Sequence, residues 1–96
     1  MNTYKFNDIT YKLIENYKEG FNETLVAEKM TDYFDRYDYI VGDWAYGKIR
    51  LKGFCNKKNR CYKKINAFSL KEKYIKENCA YDCRYFVIKK EEKNKN

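Results

Sequence analysis

The spacing of apolar positions along the chain changes period several times, and each change marks an element. Phe6, Ile9, Tyr11 and Leu13 alternate with Thr10 and Lys12, a period of two that predicts a half-buried strand over residues 9–17, preceded by a short strand and an Asn7-Asp8 turn. Lys18-Glu19-Gly20 ends that strand. From Asn22 the period lengthens. Val26, Met30, Tyr33, Phe34 and Tyr37 recur at three- and four-residue spacing, which is one face of a helix predicted over 22–36. Asn22 is its expected cap, with Phe21 and Val26 placed as a hydrophobic staple. The opposite face carries Glu28, Asp32 and Asp35.

The run from Tyr37 to Phe54 predicts a β-hairpin, with strands over 38–42 and 48–55 around Gly42-Asp43-Trp44-Ala45-Tyr46-Gly47. The two glycines bracket the turn, so Asp43, Trp44 and Tyr46 are expected at its tip. Lys48, Arg50 and Lys52 alternate with Ile49 and Leu51, which puts cations on one face and aliphatics on the other. Residues 60–66 are a candidate further strand. Ser69-Leu70-Lys71-Glu72 matches a capping box and predicts a helix over 69–78 with Leu70, Tyr74, Ile75 and Cys79 inward. Arg84 to Ile88 is aromatic and β-branched, a closing strand. The order predicts an α+β fold: one compact domain over 1–90, with an antiparallel-rich sheet of about four to six strands and two helices on one face. The charged residues 91–96 are expected to form a disordered tail.

Composition agrees with a single core. The chain has 96 residues, 44% apolar and 19% aromatic, with eleven tyrosines, which is a globular composition in spite of 36% charged residues. No apolar run approaches the ~18 residues of a membrane span, and Met-Asn-Thr-Tyr-Lys-Phe lacks a signal peptide's apolar stretch. A cytoplasmic protein without a membrane partner is expected, and in that compartment four cysteines point to free thiols or metal ligands rather than disulfides.

The net charge of +7 is unevenly placed: residues 1–46 sum to −4 and residues 47–96 to +11. Such asymmetry points to a nucleic-acid or acidic-surface partner. It has a plain alternative, because seventeen of the 21 cations are lysine and there are ten asparagines, as AT-rich codon usage would produce.

Histidine is absent, and Ser69, the only serine, is taken as a helix cap, which excludes serine triads, Cys-His pairs and His-metal sites. Asp43 beside Trp44 is the best acid–base candidate, with hydrogen bonding to turn amides as its structural alternative. No catalytic residue is assigned. Cys55, Cys61, Cys79 and Cys83 could close a tetrahedral zinc site, but neither pair has the usual two-residue spacing; buried core or loop thiols fit them better. No cofactor is expected. Lys57, Lys58 and Arg60 near Cys55 and Cys61 would favour the thiolate if the thiols served redox chemistry.

The basic segment is the stronger functional candidate. Lys48, Arg50, Lys52, Lys57, Lys58, Arg60, Lys63 and Lys64 lie within seventeen acid-free residues, with Trp44 and Tyr46 adjacent. Cations neutralise phosphates and exposed aromatics stack on unpaired bases, so an RNA- or ribonucleoprotein-binding domain is the leading expectation. The alternatives are a solvated strand face with no partner, a protein-interaction adaptor using the acidic helix face of Glu28, Asp32 and Asp35, and a small enzyme or redox protein built around Asp43 and the cysteines.

The string Asp38-Tyr39-Ile40-Val41-Gly42-Asp43-Trp44, with Tyr46-Gly47, Arg50-Leu51-Lys52-Gly53-Phe54 and a closing Cys79-x3-Cys83-x-Tyr85-Phe86-Val87, resembles the YutD-like family of low-GC Gram-positive bacteria and their wall-less relatives. The family pattern has glycine where this chain has Ala45. The resemblance implies a small cytoplasmic α+β domain and supplies no catalytic residue.

Overall fold

Two-residue turns in the left-handed region set the sheet's framework. Asn7 and Asp8 (φ 54° and 66°) join β1 (Thr3–Phe6) to β2 (Ile9–Tyr17), and Tyr46 and Gly47 (φ 54° and 75°) join β3 (Tyr39–Ala45) to β4 (Lys48–Phe54). Positive φ at both central residues matches the right-handed twist of paired strands. The structure, a computed structural model, describes residues 2–78 and 83–91. Between the hairpins lie helix α1 (Glu23–Lys29) and a 3-10 turn, Asp32–Arg36. After β4 come short 3-10 turns at Lys64–Asn66 and Phe68–Leu70, helix α2 (Lys71–Asn78) and β5 (Tyr85–Lys90).

The five strands form one antiparallel sheet in the order β1-β2-β5-β3-β4. The last strand in the chain is therefore the middle one, and Phe86, Val87 and Ile88 are fully buried there. Strand alternation sorts the core into two layers. On one face Tyr11, Ile40, Ile49, Phe86 and Ile88 pack with Val26 and Met30, with Phe34 and Tyr37 at the margin. On the other Val41, Phe54 and Val87 pack with Phe68, Tyr74 and Ile75. The two helices thus cover opposite faces rather than the single face expected, because neighbouring strand residues are apolar on both sides of the central strands.

Gly42 is not a turn residue. It lies in β3 opposite Phe86, and a Cβ there would sit 2.1 Å from Phe86 Cζ, so the missing side chain is what lets the ring lie on the strand.

The expected helix over 22–36 is two pieces. Asn22 accepts from the Leu25 amide at 3.0 Å as predicted, but the backbone is extended at Met30 and Thr31. The Met30 carbonyl instead accepts from the Asn7 side chain at 2.8 Å, a tertiary bond that overrides the apolar period. The predicted capping box does not form either. Ser69 sits inside a 3-10 turn, and the Glu72 carboxylate pairs with Lys71 at 2.9 Å. Residues 60–66 form no strand; the segment runs beside β4 only through an isolated parallel bridge of Cys55 with Ala67. The Glu91 amide donates to Thr10 O at 2.9 Å, so order reaches the first residue of the expected tail; residues 92–96 lie outside the described residues.

Gly42→Ala should lower stability by about 1–3 kcal/mol or more through overpacking against Phe86. Gly47→Asn, with nothing within 4 Å and a residue that tolerates positive φ, should change it by less than about 0.5 kcal/mol. Urea denaturation of both variants tests the contrast, and equal losses would refute it. A second test concerns Tyr11, whose hydroxyl is buried without a hydrogen-bond partner among the described residues. Burial, helped by the Asp35 carboxylate, pushes its phenol from 10.0 up to about 12. The unfolded chain then loses this proton first, so the contribution is complete below pH 10.0 and falls as pH rises through about 12. Tyr11→Phe should be neutral or stabilising at pH 7 and should flatten the alkaline fall in stability, as read by denaturation at a series of pH values.

Candidate interaction surface

Asp43, Lys48, Arg50 and Lys52 share the sheet face that α2 partly covers, since Asp43 pairs in register with Arg50 and Val41 with Lys52. Asp43 is 1% exposed. Arg50 Nε donates to its Oδ1 at 3.1 Å and Nη2 to its Oδ2 at 2.8 Å, a bidentate pair on one side of the hairpin. The hydrogen bond to Asp43 holds the guanidinium above its ordinary value. Asp43 is thus neither at the tip nor open to substrate, and Arg50 is a partner to a buried carboxylate before it is a surface cation. Lys52 lies over the Phe54 ring, 5.6 Å from its centroid. Lys48 is exposed and makes no ion pair among the described residues.

The aromatic pair expected at the tip is split. Tyr46 is fully exposed. Trp44 turns to the other sheet face, where its indole N–H donates to Gly20 O at 2.8 Å and the Arg84 guanidinium covers its ring at 4.1 Å. Arg84 Nη2 also donates to Glu19 O at 3.1 Å. Together they clamp a left-handed Lys18-Glu19 turn, both residues at φ 54°, a conformation that needs such external support. Gly20 completes the arrangement, since a Cβ there would sit 2.7 Å from the Tyr85 amide.

The loop carrying Lys57, Lys58, Arg60, Lys63 and Lys64 is internally organised. Asp38 Oδ2 accepts from the Asn56 amide at 2.8 Å and from Asn59 Nδ2 at 3.0 Å. Asn59 also donates to Arg36 O at 2.9 Å and accepts from the Cys61 amide at 2.6 Å. These five cations form no ion pair among the described residues. Asp38 and Asn59 thus organise the loop, a role that sequence reading missed; the only signal was an acid before β3 and an asparagine between Lys58 and Arg60. Beside the loop, Lys52, Phe54, Ile65, Leu70, Lys73, Tyr74 and Glu77 line a cavity of about 250 Å³.

The acids expected on one helix face do not form one. Glu28 is on α1, while Asp32 and Asp35 are in the following 3-10 turn, with Asp35 half-buried and Asp32 exposed. Lys71 is another buried charge. Burial pulls its ammonium down, but bonds to Glu15 and Glu72 more than offset this and hold it above its ordinary value.

Cys55 is buried and Cys61 half-buried, both as free thiols. Burial, and then the Asp38 carboxylate, pushes the Cys55 thiol up, the opposite of the activation expected from Lys57, Lys58 and Arg60. Cys83 is disulfide-bonded, against the expectation of free thiols: inference from compartment omits the local geometry that brings a second sulfur into bonding range. Cys83 is therefore not a thiolate ligand. Cys79 lies outside the described residues, and among those described no cluster of three or more Cys, Asp or Glu could hold a metal ion. No helix among them is long and apolar enough to cross a membrane.

This geometry defines an α+β domain built on a single antiparallel sheet. A family model described as "Putative antitoxin YutD-like" matches residues 5–89, and the chain belongs to that YutD-like family. The Bacillus subtilis (strain 168) protein "Putative antitoxin YutD" is 42% identical over 80 residues, 83% of this chain and 88% of that relative. The solution NMR structure of yutD from B. subtilis superposes with a TM-score of 0.81 at 36% identity, covering 100% of this chain and 87% of that one. At the departure from the family pattern, Ala45 ends β3 and is not among the positive-φ residues, so alanine fits it without strain.

Removing Arg50 leaves a buried carboxylate alone, whereas removing the Asp43 charge leaves a guanidinium that is 44% exposed. Arg50→Met should therefore cost about 3 kcal/mol and Asp43→Asn about 1 kcal/mol; similar losses in urea denaturation would refute the asymmetry. At pH 7 a thiol reagent should modify Cys61 rapidly and Cys55 only on unfolding, which mass mapping of the labelled peptides checks.

Proposed function

We propose that the chain is a non-enzymatic, cytoplasmic binding module that acts as an antitoxin by engaging a protein partner through the cations of β4 and the 56–64 loop. One observation carries this reading. Lys48, Lys57, Lys58, Arg60, Lys63 and Lys64 are all displayed without an ion pair among the described residues, while the residues between them are fixed by Asp38 and Asn59. A prearranged set of uncompensated like charges favours an acidic surface and steers its approach. The word antitoxin in the names of the family and of the B. subtilis relative supports a neutralising role.

RNA is the second reading, favoured by the fully exposed ring of Tyr46 at the hairpin tip. The same cations would hold phosphates, with Tyr46 and not Trp44 as the stacking platform.

Nuclease treatment separates the two. Tagged protein should retain its partner after nuclease, that partner should arrest growth when expressed alone, and this chain should relieve the arrest. The triple variant Lys48→Glu, Lys57→Glu, Lys58→Glu, which leaves the Arg50–Asp43 pair intact, should fold normally and fail to relieve it. A partner lost on nuclease treatment would sink the protein-binding reading in favour of RNA.

A further inference from the structure

We infer that the outer edge of β4 is a docking site for an added strand of alternating acidic and apolar residues from a protein partner, an inference that rests on the protein-binding reading above. β4 is the edge strand of the sheet, and among the described residues no strand pairs with its outer side from Lys48 to Lys52. A two-residue turn closes on Ala45 and Lys48. That register directs the backbone groups of Lys48, Arg50 and Lys52 toward β3 and those of Ile49 and Leu51 outward. The ladder is open there, which is where β-augmentation begins.

The two sides of this edge have different chemistry. On one face stand Lys48 and Lys52, flanking Arg50. On the other, Phe34, Leu51 and the nearly buried Ile49 line an open groove together with Glu28 and Lys29 of α1 and part of Arg50. An added strand that pairs with Ile49 and Leu51 places its own paired residues on their apolar face and the intervening residues on the lysine face. The occupant is therefore amphipathic, with acids opposite the lysines and apolar side chains in the groove. A second copy of this chain does not fit, because antiparallel β4–β4 pairing would oppose lysine to lysine. Charges that block self-association select an acidic strand of another protein.

The test is a titration of ¹⁵N-labelled protein with an end-capped synthetic peptide of about seven alternating glutamates and valines. Binding should shift the Ile49 and Leu51 amides, slow their hydrogen exchange, and weaken as salt is raised. N-methylation at the valines, whose amides face β4, should weaken binding at least about tenfold, and N-methylation at the glutamates should change it by less than about twofold. A lysine-for-glutamate peptide should not bind. Absence of a response at Ile49 and Leu51, equal effects of the two N-methylation patterns, or a β4-paired dimer of the free protein overturns the inference. If those outcomes occur while a growth-arresting protein still resists nuclease, only the edge site falls; if no such protein is retained, the binding reading itself falls.

Discussion

Phe86 lying on Gly42 is the contact on which the rest of the sheet depends. The ring occupies space that any side chain on β3 would fill, and it does so from the strand that separates the two halves of the sheet. Each half alone is a hairpin, and an isolated hairpin is marginal in water. β5 is the element that joins them, pairing with β2 on one side and β3 on the other. Because β5 comes last in the chain, both long-range ladders wait for the C-terminal segment. Fully burying Phe86, Ile88 and Val87 contributes roughly 1.5–3 kcal/mol each, and those terms appear only once the central strand is seated.

The excess of acids before Gly47 and of cations after it looks like a division of the chain into two electrostatic halves. The fold partly stitches them together. Asp43 anchors Arg50, Glu15 bonds Lys71, and Asp38 ties down the loop that follows β4. Each acid is from the first half, and each group it holds is from the second. Among the described residues Lys48, Lys57, Lys58, Arg60, Lys63 and Lys64 form no ion pair, a local feature of one strand and one loop that the net charge does not convey.

The sequence made the local elements legible and left their assembly hidden. The β2 period, the Asn22 cap, the Asn7-Asp8 turn and the alternation of Lys48, Arg50 and Lys52 all depend on neighbours in the chain, and all stand in the structure. The helix break at Met30, the 3-10 geometry around Ser69 and the loss of a strand at 60–66 depend on partners far away: the Asn7 side chain for the first, the Cys55 backbone for the last. The candidate site shows the same division. Its cations could be named from composition, but whether Arg50 faces water or a carboxylate follows from the cross-strand register that the Tyr46-Gly47 turn sets, and a turn read over Gly42–Gly47 hides that pairing.

The Gly42-Asp43-Trp44 run illustrates what this means for function. It draws attention as a site because it joins a carboxylate to an aromatic between glycines. In the fold each residue has a separate structural task. Gly42 makes room for Phe86, Asp43 holds Arg50 across the hairpin, and Trp44 crosses to the opposite face to fasten the left-handed turn ahead of Gly20. Three consecutive residues are consumed by three long-range contacts, so the segment that carries the family resemblance is a folding motif. Under the proposed binding role, interaction chemistry falls to positions with no such duty, which are the lysines that follow it and the outer edge of the strand they decorate.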